Sequence, residues 1–366
     1  MNYRGRICPL YFLRCHLIKK VISTILLILT ILGLTGCGEK KLTRYQSEFI
    51  MLFDTSTRIV GYTRTKEEFS RYSQLIYDSL KEYHILYDIY NDYEGINNIK
   101  TINDNAGIRP VKVDKRIIDL LKFSKEVYEK TRGKTNVAYG AVLKIWHDYR
   151  TQGLEDPENA SLPPFEELKT ASEHTNIEDI IIDEENSTVF LKDPLMSLDV
   201  GAVAKGYATE QVSKTAKGKG MNSALLSVGG NVRALNNNVT TNQPWNVGIQ
   251  NPDPEAENPV FKVVKLDDGA LVTSGDYERF YTVDGKRYNH IIDPATMYPA
   301  EYFTSVSIIC KDSGLADALS TALFCMPFEE GLEFINSLPE VEAMWIFKDK
   351  TVRYSENFES FIKEGQ

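Results

Sequence analysis

Within the stretch SGLADALSTALFCMP, residues 313–327, Asp317 and Thr321 stand four residues apart in an otherwise apolar pattern. Leu315, Ala318, Leu319, Ala322 and Leu323 recur at helical intervals behind Ser313 and Gly314, so the stretch reads as a helix. Positions i and i+4 share a helix face, which stacks a carboxylate and a hydroxyl one turn apart. Both are hard oxygen donors of the kind Mg2+ accepts. A helix cap or a solvated pair is the simpler alternative, yet Leu315, Leu319 and Phe324 leave little polar face, and burial with a compensating cation is the expectation.

Three further segments combine residue types that plain structure uses sparingly. In SLDVGAVAKGYATEQV an apolar strand ends in Asp199, passes Gly201 and enters a helix with Lys205 in its first turn. Free N–H groups and an ammonium at a helix start suit an anion, phosphate above all. A capped helix whose Lys205 pairs with a nearby acid is the other reading. SVGGN, Ser227 to Asn231, makes a turn between strands or lets a ligand approach the backbone. The segment TSGDYERFYTVDGKRYNHIIDPATMYP carries His290, which among the five histidines of the chain is flanked by the most loop-forming residues. It is a candidate general base, or a structural histidine beside a strand.

These residues need a scaffold, and the chain has material for one: 366 residues, 42% of them hydrophobic. Residues 1–36 differ from the rest, with Arg4, Arg6, Arg14, Lys19 and Lys20 ahead of VISTILLILTILGL and no acid. That is the basic and apolar order of a signal peptide, too short for a comfortable permanent span. LTGC follows, with Cys37 placed as in a bacterial lipobox, so we expect residues 1–36 to be a lipoprotein leader. Residues 37–47 are then a lipid-anchored tether on the extracytoplasmic face of the membrane, and 48–366 the working domain. Without the leader the chain keeps 37 basic against 51 acidic residues, a net charge of −14, which excludes nucleic acid as a partner. Cys310 and Cys325 are expected as buried thiols, although an exported location permits a bridge. C-x-x-C, H-E-x-x-H and Walker-type patterns are absent, removing the simplest zinc, metalloprotease and nucleotide-kinase readings.

EFIMLFDTSTRIVGYT reads as a strand pair. Helices are predicted over about 66–90, after Asp114 to near Gly133, and up to about Tyr149, with a polar surface segment after that. From Ile177 short strands take over, MSLDV among them, interrupted by helices at about 204–217 and at the opening stretch. Early helices and many later antiparallel strands predict a single compact α+β domain with mixed or antiparallel sheets and flanking helices.

LDVGAVAKGYA, LLSVGGNVRAL, WNVGIQNP, SGDYER, HIIDPATMYP and ADALSTALF, in this order, resemble the FAD:protein FMN transferases, the ApbE family of bacterial flavin-transferring lipoproteins. The likeness runs from about Met51 to the C-terminus. It implies Mg2+-dependent transfer of FMN from FAD to a threonine or serine hydroxyl of an exported acceptor protein, with release of AMP. By the resemblance Asp317, Thr321 and the Ala202 carbonyl hold Mg2+, Lys205 meets the FAD phosphates, and Asp199 is a flavin-site carboxylate. His290 is the base, Ile291 gives a backbone contact to the cofactor, and Met51 and Tyr93 lie at the isoalloxazine. Thr135 and Asn136 stand where many members carry Phe-Asp that contacts cofactor. Met297 stands where glycine is usual, and Leu52-Phe53-Asp54 replace a common Gly-Thr pair. Hydrolysis of FAD by water at the same site, or flavin binding without turnover, are the competing outcomes.

Overall fold

The computed structural model describes residues 41–365; Cys37 and the leader lie outside them. In chain order the elements are β1 (Thr43–Leu52), β2 (Thr55–Thr63), α1 (Lys66–Tyr87), α2 (Ile99–Asn103), β3 (Val111–Lys112), α3 (Lys115–Lys130), α4 (Gly140–Glu155) and α5 (Phe165–Ser172). Then come β4 (Ile180–Asp183), β5 (Thr188–Leu191), α6 (Ala204–Gly218), β6 (Ala224–Val228), β7 (Asn231–Leu235), β8 (Trp245–Gln250), β9 (Val260–Leu266) and β10 (Ala270–Gly275). The chain finishes with β11 (Phe280–Val283), β12 (Lys286–Asn289), β13 (Phe303–Cys310), α7 (Ser313–Phe324), α8 (Phe328–Asn336), β14 (Glu342–Phe347) and β15 (Val352–Tyr354). From Leu42 onward the chain is one compact unit. No helix among the described residues is long and apolar enough to cross a membrane.

The frame is an eight-stranded antiparallel sheet in the order β1-β2-β6-β7-β10-β13-β14-β15. Side chains alternate faces along a strand, and both faces here are apolar. Val306, Ile308, Ala343 and Trp345 point to the side covered by α7 and α8. Ile309, Met344, Ile346 and Leu271 point to the other, covered by the β8–β9 ribbon and Phe358. Burial on both sides explains why β13 reads FTSVSIIC with no clean polar alternation.

The α+β single domain matches the expectation, while several boundaries move. β1 begins at Thr43 and pairs with β2 from Thr43↔Thr63, so residues 43–47 belong to the sheet and not to a tether. α1 stops at Tyr87 because the buried Asp88 carboxylate accepts the N–H groups of Tyr90 and Asn91 and turns the chain. α4 runs on to Glu155, ahead of Pro157. MSLDV forms no strand; Ser197 makes only an isolated bridge with Tyr139. Cys310 and Cys325 are buried free thiols, so the alternative of a bridge is not taken.

Helices α6 and α7 cross at small residues. A methyl group at Gly206 would overlap the Ser313 carbonyl and the Asp317 side chain, and Gly314 faces the Tyr207 backbone. Gly206→Ala must therefore force the helices apart; we expect a loss of about 1–3 kcal/mol, read as a lowered midpoint in urea unfolding, whereas an unchanged midpoint would mean the crossing tolerates expansion.

Candidate functional site

At the helix crossing each helix supplies a carboxylate to the other's N-terminus. Asp317 Oδ2 of α7 accepts the Gly206 N–H in the first turn of α6 at 2.8 Å. Glu210 Oε2 of α6 accepts the Ser313 N–H that opens α7 at 3.0 Å, beside the Asp312 cap that takes the N–H groups of Gly314 and Leu315. N-terminal N–H groups have no partner within their own helix, and a negative charge there is favourable. Glu210 is itself buried and held by Arg233 Nε at 2.9 Å.

Asp317 is 4% exposed, with Lys205 Nζ 3.8 Å from Oδ1. Burial pushes its carboxyl above the ordinary range, while Lys205 and the Gly206 N–H favour the ionised form. The Asn231 side chain also lies close enough to favour the charge, but its buried Nδ2 falls short of a hydrogen bond. Asn231 is delivered by Gly229 and Gly230, whose φ values of 52° and 87° make a tight hairpin turn between β6 and β7. SVGGN is thus a turn that aims a donor at the carboxylate.

Thr321 lies one turn beyond Asp317 and is half-buried. Among the described residues its hydroxyl makes no hydrogen bond, and nothing donates to the Ala202 carbonyl at the entrance to α6. No cluster of three His, Cys, Asp or Glu side chains suited to a metal occurs among the described residues. A cation would have to rely on mixed oxygens, and one buried carboxylate with a free hydroxyl and a free carbonyl is a donor set that fits a hard ion keeping several waters.

Across from α6 stands His290, just after β12. Its N–H and its ring Nδ1 both contact the Arg279 carbonyl, at 3.0 and 3.1 Å. A carbonyl only accepts, so Nδ1 carries the proton and Nε2 keeps a lone pair. Burial, together with the charges of Arg279, Arg150 and Lys205, pushes the imidazole down to about 3. The next residues are braced from two sides, by Lys134 on Asp293 at 3.0 Å and by the Trp146 indole N–H on the Met297 carbonyl at 2.9 Å. Met297 has a φ of 64°, the left-handed region that explains the usual glycine there.

Other expected contacts fall out differently. Asp199 is mostly buried, accepts the Gly201 N–H at 2.8 Å and faces His147 Nε2 at 4.0 Å. Thr135 donates to the Ala318 carbonyl, and Asn136 bonds the Thr175 carbonyl and the Ala138 N–H. Both use side-chain polar groups to dock their loop. Ile291 likewise engages both backbone groups, its N–H with Asn289 and its carbonyl with Ala300 N–H. Met51 is 76% exposed at a bulged hairpin tip with a φ of 82°, and Phe53 and Asp54 are also left-handed, where the missing glycine would be unstrained. Tyr93 gives its hydroxyl to Asp88 at 2.8 Å, whereas the neighbouring Tyr90 bonds His147 Nδ1 at 2.9 Å and leaves its ring 58% exposed.

Tyr90, His147, Arg150 and Arg279 were not anticipated. Only the i, i+3 spacing of His147 and Arg150 on a helix hinted at a polar face, and Arg279 is brought in by a bend of the loop after β10.

The ApbE family model matches residues 53–345. The chain is similar to the FAD:protein FMN transferase of Treponema pallidum, 32% identical over 343 residues that cover 90% of this chain and 92% of the relative. A Klebsiella pneumoniae FAD:protein FMN transferase is 30% identical over 69% of this chain and 76% of its own length. Among solved structures, the ApbE protein of Thermotoga maritima superposes with a TM-score of 0.76 at 30% identity, covering 88% of this chain and 100% of that one. Fold, motif order and relatives agree, and the chain belongs to the ApbE family.

Proposed function

We propose that the protein transfers FMN from FAD to a threonine or serine hydroxyl of an exported acceptor protein and releases AMP. The names of the T. pallidum and K. pneumoniae relatives support this activity. The observation that carries it is the pairing of a buried, lysine-flanked carboxylate at Asp317 with a histidine whose free Nε2 lies within the field of the same lysine. In the reaction the acceptor oxygen attacks the FMN phosphorus and its proton passes to His290 Nε2. The bond from that phosphorus to the bridging oxygen breaks, and AMP leaves with the oxygen.

Asp317, Thr321 and the Ala202 carbonyl would hold Mg2+, which when bound neutralises charge on the diphosphate. Lys205 adds a fixed positive charge on the same side, and the orphaned Asn231 Nδ2 is a donor for an anionic oxygen. The exposed Tyr90 ring and Met51 offer apolar surface of the kind a flavin ring covers. The lipobox at Cys37 would anchor the domain to the extracytoplasmic face of the membrane, where exported acceptors are met.

With FAD, Mg2+ and an acceptor carrying a target threonine, we expect AMP and a fluorescent acceptor band in equal amounts; AMP with no labelled acceptor would mean hydrolysis. Asp317→Asn keeps an acceptor for the Gly206 N–H, so the variant should fold yet lose Mg2+-dependent turnover at least about 100-fold. Full activity in that variant would remove the cation site from this helix. His290→Gln should still bind FAD but transfer roughly 100- to 10,000-fold more slowly.

Because the free enzyme's imidazole stays neutral down to about pH 3, kcat/KM should show no His290-dependent fall between pH 8 and 5. A break near pH 6.5 that vanishes in His290→Gln would show an ordinary imidazole instead. The same depressed value costs the fold stability as pH drops from about 6.5 towards about 3, since protonation favours the unfolded chain. Cys37→Ser should move the protein from the membrane fraction to the soluble one; unchanged fractionation would exclude lipidation as the anchor.

A further inference from the structure

Tyr90 is an exposed aromatic side chain that is fixed at both of its ends. Its backbone N–H is held at 2.7 Å by the buried Asp88 carboxylate, which also takes the Tyr93 hydroxyl. Its own hydroxyl reaches His147 Nδ1 at 2.9 Å, with the two rings 6.2 Å apart and tilted by 39°. A surface tyrosine ordinarily leaves its hydroxyl to water and keeps its rotamer freedom, so a ring locked with its face open is a preorganised surface.

His147 is fixed on its other side as well. Its neighbour Trp146 is tied to the Met297 carbonyl at 2.9 Å, which stops α4 from rolling. His147 Nε2 stands 4.0 Å from Asp199 Oδ2, beyond a direct hydrogen bond but near enough for the carboxylate to favour the ring proton on that nitrogen. Nδ1 then carries the lone pair, and the Tyr90 O–H donates to it. Burial pushes the imidazole below its ordinary range against the pull of Asp199, which keeps that acceptor free of a proton. Asp199 uses its other oxygen on the Gly201 N–H at 2.8 Å, in the turn that leads through Ala202 to Lys205 in the first turn of α6.

We propose that His147 is a positioning residue: it holds the Tyr90 ring as a platform for the flavin of FAD and sets that platform in register with the turn that opens α6. This deepens the transferase reading and rests on it, since that reading places the diphosphate at the start of α6. The series Tyr90, His147, Asp199, Gly201 joins the two ends of the cofactor through three side chains. A dinucleotide whose ring and phosphates lie on surfaces that cannot drift apart presents its phosphorus in one place, and transfer to a hydroxyl depends on that placement.

The test compares FAD with ADP, which lacks the flavin, by calorimetry and flavin fluorescence, with EDTA present to prevent turnover. His147→Phe keeps a planar ring but removes the acceptor. It should weaken FAD binding about fivefold, the worth of one hydrogen bond, and lessen the quenching of flavin fluorescence at saturation, with ADP bound as before. Tyr90→Phe should give the same loss, and the double variant no more than either single one, because both remove one and the same bond. His147→Asn, whose side-chain oxygen falls near the place of Nδ1, should recover FAD binding. Additive losses, an equal weakening of ADP, or unchanged affinity and quenching in His147→Phe would overturn the role. A wild type that shows this selectivity yet releases no AMP from FAD with Mg2+ would instead defeat the transferase reading and leave the platform standing.

Discussion

Two buried carboxylates, each placed at the start of the other's helix, set the geometry on which the rest depends. Asp317 takes the Gly206 N–H and Glu210 takes the Ser313 N–H, so α6 and α7 cannot shift along one another without leaving an N-terminus unsatisfied. Gly206 permits the close approach, and Arg233 binds Glu210 from the sheet side. With Oδ2 occupied by the backbone, Asp317 has Oδ1 left to face Lys205. A residue that looked like a lone acid on a greasy helix is thus a cap for the neighbouring helix.

The opposite wall is built on the same economy of parts. One backbone carbonyl, that of Arg279, fixes both the chain direction and the ring tautomer of His290. The loop after it is braced by Lys134 and Trp146 from segments more than 150 residues earlier. Sites held by rigid elements keep their geometry better than sites held by loops alone, and here the braces give a loop histidine that quality.

Much of this was legible in the sequence. The i, i+4 spacing of Asp317 and Thr321 and the glycine and lysine order around Asp199 to Lys205 pointed to the two helices that cross at Gly206. Local pattern reaches that far because it encodes faces and helix ends. It could not show that Thr135 and Asn136 tie their loop to Ala318 and Thr175, since hydrogen-bond partners 183 and 39 residues away are a property of the fold. The strand at MSLDV failed because apolar content was read as pairing, when the backbone of that buried segment bonds the Asn103 side chain and the Val137 carbonyl in place of a neighbouring strand.

The reciprocal caps also bear on how the chain reaches its native state. The partner of the Gly206 N–H arrives 111 residues later, on the helix that follows β13 of the central sheet. Contacts of such long sequence separation form late and slowly. A ribosome-borne or truncated fragment ending before α7 therefore has α6 with an open end and no centre at all. The paired helix starts exist only once α7 has docked, so the candidate site is a late product of the chain and not of any early segment of it.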